Sequence, residues 1–357
     1  MKRDMNVKSI AACAVDVGYF HVKYTKGRKH DAGDVKIDCN MFTAVAPVVS
    51  ANQLMHASGT PEANACVVSV NGVDYMVGDG ATAFTRGNEP RTVEPNYCMT
   101  DKYYALLLGA LNRIAEDAGA GPEFVVDTLG LGLPLNTYGQ FSKPLAEKVA
   151  GEHQIGSTGS GVRRRVTVNH AHVMVQPHGA LLNFGSRTSV EGATLVVDPG
   201  GGTLDWFLMD DNRQIAWPRS GAYPMAMLHV AQAVADQIED GLRNDVAAMN
   251  VIDKALRLRQ PTFMIGPRTY QTQDFQSNVE AVLEQAVKTM FDRTGSVRTV
   301  RRILMTGGGA SLFRSYLDAK YSELRDAIEM DVDPVYSNVR GFQIAAEHIA
   351  ESRGVRV

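Results

Sequence analysis

Two short stretches of this chain superimpose without a gap: Ala14-Val15-Asp16-Val17-Gly18 and Val196-Val197-Asp198-Pro199-Gly200. Each is an apolar strand ending in Asp, one spacer residue, a Gly, a tight turn and a return strand. Glycine permits positive φ and a close backbone approach, and a turn of successive N–H groups forms a small anion-binding nest. An Asp at the end of the leading strand offers hard oxygen to a magnesium ion, usually through its waters. Two such hairpins on facing halves of the chain can clamp a triphosphate and its metal between them. A third glycine turn, Gly307-Gly308-Gly309, follows a strand at residues 301–305 and would bring bare backbone against a nucleotide's sugar and α-phosphate. Its spacing differs from GxxxxGK[ST], and no GxGxxG opens a βαβ unit, which sets aside the P-loop and Rossmann readings.

A pair of facing halves agrees with the length, because 357 residues suggest about two domain-sized units. With 45% hydrophobic and 21% charged residues the composition is that of a globular protein, not of a disordered or collagen-like chain. A net charge of −3 supplies no overall basic field for a polyanion, so nucleic-acid contact would be local or indirect. No signal-peptide h-region and no apolar run of about 18 residues appear, so the expectation is a cytoplasmic protein with no membrane partner. Cys13, Cys39, Cys66 and Cys98 lie far apart without metal-ligand spacing and read as reduced, mostly buried small hydrophobes.

Residues 10–17 and 21–25 form the first strand pair, with Gly18 at the bend. Residues 67–70 and 73–77 flank Asn71-Gly72, a type I′ hairpin signal. Residues 101–118 read as a helix capped by Thr100 or Asp101, followed by a strand at 125–133. Residues 156–161 are a glycine–serine loop leading to Arg163-Arg164-Arg165, which could grip phosphate but reads more simply as a solvated strand entrance. Strands are expected at 166–168, 173–175, 195–197 and 204–209. Helices are expected at 223–243, 278–293 and 341–352, and one near 254–259 is placed to flank a base. His170 and His172 share a strand face by their spacing but lack a third ligand. Trp206 and Phe207 read as core.

With these motifs in place, the sequence resembles the actin-like ATPases, and within them the plasmid-segregation type (ParM/StbA-like, with the PRTRC-system protein D relatives). Asp16 to Lys23 resembles the first phosphate motif and Asp198 to Asp205 the second. Residues 305–311 resemble the adenosine motif, Gln176-Pro177-His178-Gly179-Ala180 the first connecting segment, and Asn338-Val339-Arg340-Gly341-Phe342 the second. The resemblance implies an α/β, two-lobed fold, each lobe on a duplicated mixed sheet with flanking helices. Residues 1–170 plus 338–357 would form lobe I and residues 171–337 lobe II, with hinges at the two crossings.

The same resemblance implies ATP and Mg²⁺ as cofactors. Asp16 and Asp198 would hold the metal. Gly18, Tyr19, Phe20, Lys23, Gly200, Gly201, Gly202 and Thr203 would bind phosphates, and Gly307, Gly308 and Gly309 the nucleoside. Gln176 would orient the attacking water, with Asp198 and Asp205 assisting. Pro199 stands where a more flexible residue is usual, and no glutamate accompanies Gln176. The implied activity is slow, assembly-stimulated ATP hydrolysis by a self-associating, filament-forming protein that moves plasmid DNA through an adaptor. The alternatives are a non-polymerising nucleotide switch, chaperone-like or a small-molecule kinase, and a scaffold that assembles without hydrolysis.

Overall fold

A computed structural model describes residues 7–31, 34–50, 53, 65–85, 91, 93–156 and 163–357. The chain opens with β1 (Lys8–Val17), β2 (His21–Asp31) and β3 (Asp34–Thr43), then β4 (Ala65–Val70) and β5 (Val73–Gly78). The last two form a hairpin closed by Asn71 and Gly72, whose φ values of 50° and 80° are the pair a type I′ turn demands. Helix α1 (Asp101–Asp117) is capped by the Thr100 hydroxyl, which accepts the Tyr103 N–H. It is followed by β6 (Glu123–Leu133), α2 (Leu135–Val149), β7 (Gly151–Ile155) and β8 (Arg164–Val175).

These strands make one six-stranded sheet in the order β3-β2-β1-β6-β8-β7. Residues 166–168 and 173–175, expected as separate strands, are one strand, because no breaker separates them and β8 pairs with β6 along its length. β8 therefore carries this sheet to Val175, past the expected boundary at 170. The loop expected at residues 156–161 lies, beyond Gly156, outside the described residues.

Arg164 is neither solvated nor free for phosphate. It is buried, and its guanidinium donates to the carbonyls of Gly121 at 3.0 Å, Asn112 at 3.2 Å and Ala120 at 3.2 Å. The Ala120 and Gly121 carbonyls, just beyond the end of α1, are a natural seat for a five-donor fork. Arg165 pairs with Glu123 at 3.1 Å.

Past α3 (Gln176–Gly185) the chain builds a second sheet from β9 (Thr194–Pro199), β10 (Leu204–Met209), β11 (Gly221–Tyr223), β14 (Arg302–Met305) and β15 (Ile328–Met330), ordered β11-β10-β9-β14-β15. Around it lie α4 (Met227–Ile238), α5 (Val246–Arg257), the small hairpin of β12 (Thr262–Ile265) and β13 (Arg268–Gln271), α6 (Gln276–Thr294) and α7 (Ala310–Lys320). The helix expected over 223–243 is shorter: Tyr223 ends a strand before Pro224, and Gly241, at φ 83°, follows the helix end. Trp206 and Phe207 are core, each 1% exposed.

The last helix, α8 (Ser337–Ser352), returns to the first sheet, where Phe342 fills the space left by Gly130 and Gly132. A Cβ on Gly132 would strike that ring, and one on Gly130 would strike the Phe342 carbonyl. The chain thus passes between sheets at α3 and at the start of α8, and these two helices touch backbone to backbone, since a Cβ on Gly341 would overlap the Gly179 carbonyl. No helix among the described residues is long and apolar enough to cross a membrane.

Candidate functional site

A cleft runs between the two lobes, lined by both Asp-x-Gly hairpins, Gln176, Asn338 and the Gly307-Gly308 turn. At the first hairpin, antiparallel pairing sets Asp16 opposite Lys23. The Lys23 ammonium lies 2.9 Å from Asp16 Oδ2. The other oxygen, Oδ1, accepts the Gln176 side-chain N–H at 2.8 Å. Asp16 is buried and the first residue of α3 reaches it across the crossing, so both of its oxygens are held. With its NH₂ turned to Asp16, Gln176 keeps its amide oxygen as an acceptor for water.

At the second hairpin, β9 and β10 pair with Asp198 opposite Asp205, which places two carboxylates side by side on one face. Both are buried. Burial pushes the Asp198 carboxyl up to about 6, opposed by the Asn338 N–H and the Lys23 charge. Burial pushes Asp205 up to about 7, opposed by hydrogen bonds from the Thr203 hydroxyl and the Leu135 backbone N–H, with the Asp198 and Asp16 charges adding to the rise. Asn338 donates to Asp198 Oδ2 at 2.6 Å, while its own amide oxygen is buried without a partner among the described residues.

The glycines do not all serve as expected. Gly18 and Gly200 to Gly202 take no left-handed φ among the described residues, so the hairpin turns are not nests of alternating handedness. What they require is space: a Cβ on Gly202 would strike the Tyr19 ring, and one on Gly201 would sit 3.1 Å from the Phe20 nitrogen. The tips of the two hairpins are in contact. Gly307 does take a positive φ, 77°, and a Cβ there would overlap the Asp198 carboxylate. Its turn is fastened to the second hairpin by the Gly309 N–H, which donates to the Pro199 carbonyl at 2.9 Å.

Tyr19 stacks on Tyr97, with ring centroids 4.6 Å apart, and its hydroxyl donates to the Glu94 carbonyl at 3.0 Å. Of the residues expected to bind nucleotide or metal or to act on water, all but Gly309 line this one cleft. His170 and His172 are not among its lining residues, and no metal-binding cluster of His, Cys, Asp or Glu occurs among the described residues. The four cysteines are free, with Cys13 and Cys98 buried.

Several lining residues were not singled out in advance. Asn338 lies within the second connecting segment, but nothing in that segment marks it as the partner of Asp198. Asp253 and Arg257, one helical turn apart on α5, are 3.7 Å from one another; burial lifts Asp253 to about 6. His21, also in the cleft, is pushed down to about 3 by burial and by the Arg257, Lys23 and Arg91 charges. On a helix, an acid and a base at i, i+4 look like any surface pair, so nothing local marked the first two.

Two sheets of this order, joined by a pair of crossing helices and presenting paired Asp-x-Gly hairpins to the cleft between them, define an actin-like protein, and the chain belongs to that family. The family model for the N-terminal domain of actin-like proteins matches residues 14–179, and that for the C-terminal domain of archaeal MreB-like actin homologues matches residues 196–319. Among solved structures, the apo pSK41 ParM protein is similar at 17% identity and TM-score 0.65, over 96% of this chain and 98% of that one. The actin-like protein Alp7A is similar at 13% identity and TM-score 0.71, over 97% and 98%. The archaeal actin homologue Ta0583, solved in complex with ADP, is similar at 16% identity and TM-score 0.69, over 95% and 100%. No curated protein matches the sequence. At these identities the structures attest the fold alone.

Proposed function

We propose that this chain binds Mg·ATP between its lobes, hydrolyses it, and assembles into filaments that segregate plasmid DNA through an adaptor protein. The observation that carries the reading is the meeting of two Asp-x-Gly hairpins from opposite lobes with Gln176 bonded directly to Asp16. The donor set fits the cofactor: backbone N–H groups at glycines without room for a side chain, two hard carboxylates at Asp16 and Asp198, and the unpartnered Asn338 oxygen.

In this reading Tyr19 and Phe20 on one side and Gly201 to Thr203 on the other donate hydrogen bonds to phosphate oxygens, because the Gly18 and Gly200 N–H groups close their own hairpins on the carbonyls of His21 at 3.1 Å and Thr203 at 2.9 Å. Asp16 and Asp198 hold Mg²⁺ through its waters, and Lys23 neutralises charge on the phosphates. Bound Mg²⁺ supplies charge neutralisation of the phosphate chain. Gly307 to Gly309 lie against the nucleoside, with Asp253 and Arg257 at its flank. Gln176 orients the attacking water through its amide oxygen and cannot deprotonate it. Asp205, lifted to about 7 by burial, sits beside Asp198 and can take up a proton near neutral pH. Phosphoryl transfer needs mainly positioning and fixed charge, so a cleft of this make-up suffices.

Self-association is supported by the fold shared with ParM proteins, one of which, from Clostridium botulinum, has been solved as a 15-stranded filament (14% identity, TM-score 0.67, 94% and 99% covered). The modest net charge of −3 favours an adaptor over direct DNA contact. The test is light scattering and phosphate release followed together after adding Mg·ATP, beside Asp198→Ala. Scattering that rises and then decays as phosphate appears, both lost in the variant, is expected. Phosphate release without scattering would favour a non-polymerising switch and end the filament claim.

A further inference from the structure

The two lobes are joined at the mouth of the cleft as well as at the hinge. Val246, the first residue of α5 in the second lobe, is 2% exposed and belongs to a buried cluster otherwise made of first-lobe side chains: Val45, Val49, Val67, Met76 and Ala81. A second join lies nearby. Arg91, from the stretch preceding α1, is 8% exposed, stacks its guanidinium 4.6 Å above the Phe20 ring, and donates from Nη2 to the Asn250 side-chain oxygen of α5 at 2.9 Å. Phe20 itself, though on the first hairpin, is buried in the core of the second lobe.

From these contacts we propose that Val246 with its cluster and Arg91 with Asn250 and Phe20 form a clasp across the cleft mouth, and that opening this clasp sets the rate of nucleotide exchange. The proposal rests on the nucleotide-binding reading of the cleft. With so little room between the hairpins that a Cβ on Gly201 would sit 3.1 Å from the Phe20 nitrogen, a phosphate chain enters between them only if the lobes part. Rotation about the hinge helices would move the far ends most, so parting withdraws Val246 from its cluster and breaks the Arg91–Asn250 bond.

The clasp is also built to be breakable. Arg91 keeps Nε and Nη1 buried without an acceptor among the described residues, and opening would let water satisfy both. Asp253 feels the charges of Arg257 and Arg91, and among the described residues its ion pair is the 3.7 Å one with Arg257. The closed state therefore combines a favourable apolar seat and cation–π contact with an unfilled hydrogen-bonding requirement, which leaves the balance small.

The experiment uses the full chain and three variants, Arg91→Ala, Asn250→Ala and Val246→Ala. Dissociation of a fluorescent ATP analogue is followed by stopped flow with Mg²⁺, and the radius of gyration of the nucleotide-free protein by small-angle scattering. Each variant is expected to release the analogue about tenfold faster, with the Arg91 and Asn250 effects not additive because they remove one bond from its two ends. The scattering should show a more open nucleotide-free particle. Release unchanged within about twofold in all three overturns the clasp, as does opening without faster release. Wild-type protein that binds no analogue defeats the nucleotide reading itself, and the clasp is then judged by scattering alone, where variants no more open than wild type overturn it.

Discussion

The carboxylate of Asp205, on β10 of the second lobe, accepts the backbone N–H of Leu135, the first residue of α2 in the first lobe, at 2.8 Å. A side chain of one lobe thus rests on the N-terminus of a helix in the other, where the helix dipole favours negative charge. This bond crosses the floor of the cleft and makes the position of Asp205 depend on how the lobes sit. Asp205→Asn keeps an acceptor for Leu135 but no ionisable group, whereas Asp205→Ala keeps neither. Phosphate release is expected to fall about tenfold or more in both. Only the alanine variant should also loosen the Leu135 amide, and hydrogen exchange at that amide separates the two roles.

Asp198 is held with a carboxyl near 6 against an ordinary value of 3.8, because burial disfavours its charge. A raised folded-state value means the native protein binds the proton more tightly than the unfolded chain, so stability from this group is full below about pH 4 and lost as pH rises through about 6. Asp198→Asn, which cannot ionise, should lack that loss. The difference in unfolding free energy between the variant and nucleotide-free wild type is expected to shift in favour of the variant from pH 4 to pH 7 by up to about 3 kcal/mol. Chemical denaturation at a series of pH values would read it. A pH-independent difference would contradict the burial argument.

His21 titrates in the other sense. Burial, Arg257, Lys23 and Arg91 push it from 6.5 down to about 3, so the unfolded chain takes up its proton first. Its contribution is present above about pH 6.5 and is lost as pH falls toward 3. His21→Gln should unfold at a lower pH than wild type in an acid titration followed by circular dichroism. An acid midpoint moved upward would be inconsistent with a buried neutral imidazole.

Gly341 faces Gly179 where α8 crosses α3, and a Cβ there would overlap backbone, which cannot yield as a flexible side chain can. Gly341→Ala is expected to cost about 2–3 kcal/mol by overpacking, despite the better helix propensity of alanine. Gly139→Ala, on α2 with open space around it, is the control and should be neutral or slightly stabilising. Urea midpoints decide between them.

Much of this protein could be read along the chain, because the signals concerned are local. Strand, Asp, spacer, glycine and return strand are consecutive residues, so both hairpins, the Asn71-Gly72 turn and the Thr100 cap were legible before any packing was known. The sequence resemblance added the two-lobed arrangement and pointed to Gln176 and to the segment at Asn338. Those readings needed no knowledge of which side chains meet.

Tertiary structure decided everything that depends on partners distant in sequence. That Arg164 caps the end of α1 and does not hold phosphate follows from carbonyls more than forty positions away in the chain, at Ala120 and Gly121. That Gly201 and Gly202 are needed for close approach and not for left-handed φ follows from Tyr19 and Phe20 packing against the opposite hairpin. Asn338 meeting Asp198, Asp205 meeting Leu135 and Arg91 meeting Asn250 are equally invisible along the chain. Backbone preferences are set within a few residues, whereas burial, charge and hydrogen-bond partnership are properties of what folding brings alongside.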